Sequence, residues 1–266
     1  MCLHELRIFV GEQRKGAELE GCLRRPEAEV IKEIIEVIMK KLNQISPNYY
    51  SRGLVGLESR VQEIESLLCL RSSSVRKVGI WGMGGLGKST LARAIYDRIA
   101  PQFESCCFLS NAREQLQRYT LAQLQNQLFS TLLEEQSTLY LRLSFIKDRL
   151  RRKRVLIVID DADNSTKLQE LLIDSESDYV GSGSRIIITS RDKQVLKITF
   201  VDEISEMEAL NEYKALHLFS LKAFKQENPP SDHRMLQVER VVKYAKGNPL
   251  AVTVLGSPLF GKSEKD

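Results

Sequence analysis

One segment constrains this chain more than any other. Residues Gly82-Met83-Gly84-Gly85-Leu86-Gly87-Lys88-Ser89-Thr90 match the pattern G-x-x-x-x-G-K-[ST]. Glycines let a backbone turn tightly enough that successive N–H groups point inward at phosphate oxygens. A helix that opens directly after such a turn adds the positive end of its dipole. Lys88 is then in reach of β and γ phosphates, and the Ser89 hydroxyl in reach of Mg²⁺. With Gly at about 7% of residues, a chance match in a chain of this length is on the order of one in a hundred. The flanks fit as well. The apolar run Val78–Trp81 precedes the glycines, and Lys88–Ile99 has helical spacing. A strand–loop–helix unit of this kind belongs to a parallel sheet, with the loop at the carboxyl end of its strand.

The rest of the chain extends that unit. Val155–Ile159 is continuously apolar, as in a strand buried on both faces, and it runs into Asp160-Asp161. A carboxylate there sits at the edge of the sheet where ligands bind. Asp160 is the candidate Mg²⁺ partner, directly or through water. Asp161 is placed to orient or deprotonate an attacking water. Cys106–Leu109, Arg185–Thr189 and Val201–Ile204 are further strand candidates. Leu121–Leu133 and Leu139–Leu150 read as helices between them. From spacing alone, Arg191 is no more than an arginine that follows a strand. After Glu208 the strands stop. Asn211–Lys225 and Met235–Lys246 read as helices around a Pro229-Pro230 loop. Upstream, apolar residues from Ile31 to Leu42 recur at helical spacing after Pro26, a linker spans Asn43–Arg52, and Glu58–Leu70 is a second amphipathic helix.

Composition narrows the function classes. The 266 residues carry a formal charge of only +4, too mild to argue for a nucleic-acid partner. The basic run Arg151–Arg154 reads as a helix C-terminus and solvated loop. The longest aliphatic run is Val155–Ile159, far short of the ~20 residues of a membrane span. Five cysteines without metal-ligand spacing fit a reducing compartment. The Gly181–Ser184 stretch reads as a flexible loop rather than a phosphate cradle, because a strand follows it. The three histidines have no partner pattern, and the leucines of 121–132 read as core.

In order along the chain, these motifs resemble the NB-ARC module of plant intracellular immune receptors, a branch of the signal-transducing P-loop ATPases. Leu54-Val55-Gly56-Leu57-Glu58-Ser59-Arg60 resembles the motif with which that module begins, near the adenine. Phe103–Glu114 resembles the segment after its first helix, and Ile159–Asp163 its second nucleotide motif. Asp163 is the residue found in the branch that carries a Toll/interleukin-1-receptor (TIR) domain. Gly183–Arg191 resembles the sensor motif, which raises Arg191 above a solvated arginine. Glu208–Asn211 with Ala215–Phe219 resembles the start of the helical ARC1 subdomain. Gly247-Asn248-Pro249-Leu250-Ala251 resembles the motif whose proline packs near the nucleotide.

The resemblance implies an α/β fold: a doubly wound parallel-sheet P-loop NTPase domain, followed by a partial all-α ARC1 subdomain. The expected bounds are 1–26 for a remnant linker, 27–50 for a linker helix, 51–207 for the nucleotide-binding domain and 208–266 for ARC1. It implies ADP at rest, ATP when active, Mg²⁺, and slow hydrolysis that resets the switch. Nucleotide contacts are expected from Val55, Gly56, Gly82, Met83, Gly84, Gly85, Leu86, Gly87, Lys88, Ser89, Thr90, Asp160, Arg191, Pro249 and Leu250. Ser89 and Asp160 would hold the metal, and Asp161, Lys88 and Arg191 would serve any hydrolysis. A TIR domain, a winged-helix subdomain and leucine-rich repeats have no counterpart in these residues. The expected setting is the cytoplasm, and the nucleus as a second site. The alternative is a non-hydrolysing adaptor or decoy that pairs with full-length receptors or with itself. A metabolic P-loop kinase lacks a substrate lid or second substrate motif here.

Overall fold

The structure is a computed structural model that describes residues 55–139, 141–163, 165–172, 179–225 and 235–259. The linker helix expected from Ile31, the linker of Asn43–Arg52 and the Pro229-Pro230 loop lie outside the described residues. In chain order the elements are α1 (Glu58–Leu68), β1 (Arg76–Trp81), α2 (Lys88–Ile99), β2 (Ser105–Leu109), α3 (Ala112–Arg118), α4 (Leu121–Leu133), α5 (Leu143–Leu150), β3 (Val155–Ala162), α6 (Ser165–Leu171), β4 (Arg185–Ser190), α7 (Lys193–Ile198), β5 (Glu203–Glu206), α8 (Glu212–Ala223), α9 (Met235–Tyr244) and α10 (Pro249–Gly256).

The five strands form one sheet in the order β2-β3-β4-β1-β5, and every pairing is parallel. Its α/β class is the one the motifs predict. The apolar run of β3 explains why the sheet needs two cores. Val155, Ile157 and Ile159 pack to one face with α4, α5 and α7, while Leu156 and Val158 pack to the other with α1 and α2. Each of these five side chains is fully buried. A pleated strand sends alternate residues to opposite faces, so a run without polar alternation requires helices on both.

The helices after β1 and β4 cover opposite faces. Leu91, Ala92 and Ile95 of α2 belong to one core, and Val195 and Leu196 of α7 to the other. Strands β1 and β4 are neighbours, so their connections part at their carboxyl ends. That divergence is where an open α/β sheet leaves a crevice for a ligand. A third core is wholly helical. It joins Ala215, Leu218, Phe219 and Ala223 of α8 to Val238 and Val242 of α9 and Val252 of α10.

Several local features depart from the pattern-based reading. β5 runs Glu203–Glu206, two residues later than expected. The Asp202 carboxylate accepts from Lys77 N at 2.7 Å and its own N–H reaches Lys77 O at 2.8 Å, so pairing to β1 begins only there. α5 starts at Leu143 rather than Leu139. The preceding turn is tied to α4 by Asn126 Oδ1, which accepts from Thr138 N, Thr138 Oγ1 and Ser137 Oγ. The Gly181–Ser184 loop is packed rather than free: Gly181 and Ser184 are buried, and a Cβ on Gly181 would stand 2.5 Å from Lys153 O. The basic run of 151–154 is likewise structural. Lys153 Nζ donates to Ser105 Oγ and Leu132 O, and Arg154 donates to Gly183 O and Leu70 O. Pro258 falls in the 3₁₀ turn Ser257–Leu259, after α10 has ended. Among the described residues, no helix is long and apolar enough to cross a membrane.

Candidate functional site

The glycine-rich loop leaves β1 at its carboxyl end and turns directly into α2. Gly87, the residue before the helix, sits at φ +94 and supplies no side-chain cap. The first N–H groups of α2 therefore have no partner within the helix. Lys88, Ser89 and Thr90 line a cleft of about 570 Å³, as do Gly84, Gly85, Leu86 and Gly87. This is a ring of amide donors at the positive end of a helix, open on the cleft side. Gly82 and Met83 are not in the lining. Gly82 (φ +156) instead sits against the chain after β5, where a Cβ would stand 2.9 Å from Met207 O. Met83 is 75% exposed.

Lys88 is buried, and its ammonium donates to the carbonyls of Gly82 at 2.7 Å and Met83 at 2.8 Å. Burial lowers its pKa most, and the nearby Arg191 guanidinium adds to that, while Asp161 and Asp160 oppose both. The cation is thus held at the root of the loop with carboxylates close by.

The two aspartates at the end of β3 differ sharply. A bulge falls between Ile159 and Ala162 in the pairing with β4. Asp160 is buried and accepts the Thr189 hydroxyl at 2.6 Å. Asp160 is not part of the cleft lining, whereas Asp161 is. Asp161 takes the left-handed conformation (φ +56), and its N–H donates to Thr189 Oγ1 at 2.9 Å. A left-handed non-glycine residue beside a site stores strain that the surroundings must hold. The Thr189 hydroxyl does that, fastening both aspartates to β4. Arg191, just beyond β4, donates from Nε to Asp161 Oδ1 at 3.1 Å. It lies over the loop: a Cβ on Gly84 would stand 3.6 Å from Arg191 Nη1.

The opposite wall comes from the helical core. Val55, Gly56, Leu210, Lys214, Pro249 and Leu250 all line the cleft. Asn248 caps α10, with Oδ1 accepting from Leu250 N at 3.0 Å and Ala251 N at 3.2 Å. Its Nδ2 donates to Gly84 O at 3.0 Å, and Leu250 N also reaches Gly85 O at 3.1 Å. Asn248 therefore fastens the helical part to the glycine loop. Gly85 (φ +81) must be glycine here, since a Cβ would lie 2.6 Å from Asn248 Oδ1.

The profile of the NB-ARC domain matches residues 57–229. The chain belongs to the NB-ARC family. It is 45% identical over 244 residues to disease resistance protein RPV1 of Vitis rotundifolia, covering 90% of this chain and 17% of that protein. It is 41% identical over 265 residues to TMV resistance protein N of Nicotiana glutinosa, covering 95% of this chain and 22% of that one. The chain thus spans about a fifth of the length of these relatives. Among solved structures, Cdc6p from Pyrobaculum aerophilum shares the fold, with a TM-score of 0.57 at 15% identity over 79% of this chain and 62% of that one.

The NB-ARC cleft also contains residues that were not among the expected contacts. Arg60 of α1 reaches across to the segment after β5, pairing with Glu208 at 3.1 Å and donating to Glu206 O at 3.3 Å. Lys214 and Lys222 of α8 add two further cations to the wall, and Asn111 lines the cleft at φ +50. Arg113 lies just behind that wall and pairs with Asp161 at 3.1 Å. A left-handed asparagine before a helix is a local signal. The lysines carried none, because they lie on an ordinary amphipathic helix.

Proposed function

We propose that this NB-ARC chain is an ADP/ATP-binding switch module related to plant disease resistance proteins. The observation that carries the reading is the uncapped start of α2. Its amide ring opens into a cleft floored by Lys88 and overhung by Arg191. Diphosphate oxygens are the chemistry that such a ring fits. The ring opens toward Val55, Gly56, Pro249 and Leu250, a partly apolar wall suited to a base. A bound nucleotide would touch both the sheet domain and the helical wall, so exchanging it would change how they pack.

The oxygen donors fit Mg²⁺. Among the described residues, no group of three or more His, Cys, Asp or Glu side chains could hold a metal alone. Mg²⁺ favours one or two protein oxygens together with phosphate and water; the Ser89 hydroxyl would supply one from the cleft, and Asp160, buried and outside the lining, would act through water. When bound, the ion neutralises phosphate charge. Ser89 offers its hydroxyl from the first turn of α2. Asp160 is oriented by the Thr189 hydroxyl. Asp161 lines the cleft as the candidate base for water, but Arg113 and Arg191 both hold its carboxylate. An attacking water would have to compete with both arginines for those oxygens, which favours slow hydrolysis at most.

The test is thermal unfolding with Mg²⁺ and ADP, with phosphate release from ATP measured in parallel. ADP should raise the melting temperature, and the turnover of ATP should be slow. No shift at millimolar ADP would remove the reading. The adaptor reading, in which the chain pairs with a receptor or with itself, draws on one observation. Leu250 and Val254 of α10 are 58% and 59% exposed. Light scattering that shows a monomer, together with no change in mass when a full-length relative is added, would count against it.

A further inference from the structure

Asp161 gives each of its carboxylate oxygens to a different arginine. Oδ1 accepts from Arg191 Nε at 3.1 Å, and Oδ2 pairs with Arg113 Nη2 at 3.1 Å. The three residues come from the segment after β4, the end of β3 and the start of α3. Arg113 also faces Asp163, with Nε 3.8 Å away. The members are unequally free. The Asp161 side chain is 18% exposed, that of Arg113 38% and that of Arg191 52%. The Asp161 backbone is fixed as well, through its N–H to Thr189 Oγ1. Asp161 is the anchored member and Arg191 the one with room to move.

Charge accounting then singles out Arg113. Arg191 holds Asp161 through Nε alone, so turning its whole fork toward a terminal phosphate would give up that bond. If Arg191 were the sole partner of Asp161, its departure would leave a largely enclosed carboxylate uncompensated, which is costly. Arg113 removes that cost, because Oδ2 stays paired throughout. Arg113 is absent from the cleft lining, and its contact to the cleft residues runs through Asp161.

We propose that Arg113 is a positioning residue: by holding Asp161, it lets Arg191 exchange that carboxylate for the terminal phosphate of a nucleoside triphosphate. Arg113 thereby sets the preference for triphosphate over diphosphate. The inference rests on the nucleotide reading above and goes past it, since Arg113 is not among the residues that line the cleft. The chain also carries its own reporter. Trp81, its one tryptophan, donates from Nε1 to Arg191 O at 3.1 Å.

The test uses the full 266-residue chain. Wild type, Arg113→Met, Arg113→Lys, Asp161→Asn and the Arg113→Met/Asp161→Asn double variant are titrated calorimetrically with Mg²⁺ plus ADP, and with Mg²⁺ plus the β,γ-imido analogue of ATP. Arg113→Met should lower affinity for the triphosphate analogue about tenfold relative to ADP, a typical size for such coupling. Arg113→Lys should recover part of it. In the Asp161→Asn background, removing Arg113 should change the ratio less than about twofold. Trp81 emission should respond more to the triphosphate than to ADP in wild type, and equally to both in Arg113→Met. Should Arg113→Met fail to fold, Arg113→Gln carries the same expectation. Equal losses for both nucleotides, or a ratio change that persists without Asp161, would overturn the role of Arg113 and leave the nucleotide reading standing. A wild-type chain that binds neither nucleotide would overturn both.

Discussion

The two ends of the parallel sheet use the same residue types for opposite purposes. At the amino end, basic side chains are consumed by backbone carbonyls. Arg185 is fully buried, and donates to Ser74 O, Ser184 O, Cys69 O and Ser72 O at 2.5–2.8 Å. Arg154 and Lys153 add further bonds of this kind. At the carboxyl end, Arg191 is half-exposed and meets a single carboxylate oxygen, while the amide ring before it has no side-chain cap. A fully buried cation ringed by carbonyls is closed off from a ligand and works as mortar. A cation that faces one exchangeable carboxylate across an open amide ring is equipped to bind. The difference lies in what surrounds each charge, not in how many charges there are.

Breaking the amino end should cost the most stability. Arg185→Met leaves four carbonyls without their donor and should destabilise the fold by roughly 3–5 kcal/mol. In a chain of this size that lowers the melting temperature by about 10 °C, read by circular dichroism. Nucleotide affinity of the fraction that remains folded at low temperature should be unchanged. Breaking the carboxyl end should do the reverse. Lys88→Ala removes a charge-assisted contact and should weaken ADP binding by about 100-fold, while moving the melting temperature of the nucleotide-free protein by only a few degrees. Equal effects of these two substitutions on stability would erase the contrast between the two ends.

The site was most legible where its parts are contiguous. Gly82–Thr90 carries its own turn chemistry and helix start, so strand, loop and helix could be read together. The two-sided burial of β3 was equally readable from its unbroken apolar run. Asp160 and Asp161 were both visible, with separate expected roles, but not their unequal burial, which depends on a bulge and on Thr189 from the neighbouring strand. α3, α6 and α7 are each six or seven residues long. Helices that short show the 3.6-residue apolar period only once, too little to stand out, so packing against the sheet decides them. Arg113 and Lys214 reach the site only through tertiary approach. Asn248 stood within a quoted motif, yet its bond to Gly84 O becomes evident only once α10 is docked.

Asn248 sharpens the comparison at a smaller scale, because it ties the helical wall to the carboxyl end alone. Asn248→Ala removes a helix cap worth about 1 kcal/mol and should lower the melting temperature by roughly 3 °C. It should also weaken ADP binding several-fold, since the loop loses its bond at Gly84. A stability loss with unchanged affinity would mean that the wall and the loop are independent. The smallest effect concerns the sheet between the two ends. Burial pushes the Cys106 and Cys107 thiols up to about 11. At pH 8 only about one in a thousand of each is thiolate. Exposed Cys69 should therefore label with iodoacetamide well before either, as read by peptide mass spectrometry. Raising the pH toward 11 should narrow the gap. Rapid labelling of all three at pH 8 would show that the β2 edge is open.

The uncapped start of α2, with Lys88 at its root, is proposed to hold the diphosphate of an adenine nucleotide. Titration calorimetry of the wild-type chain and Lys88→Ala with ADP in the presence of Mg²⁺ tests it most directly. One site per chain is expected for wild type, with a loss of about 100-fold in Lys88→Ala. Absence of binding to wild type at millimolar ADP, or equal binding by both proteins, would contradict it.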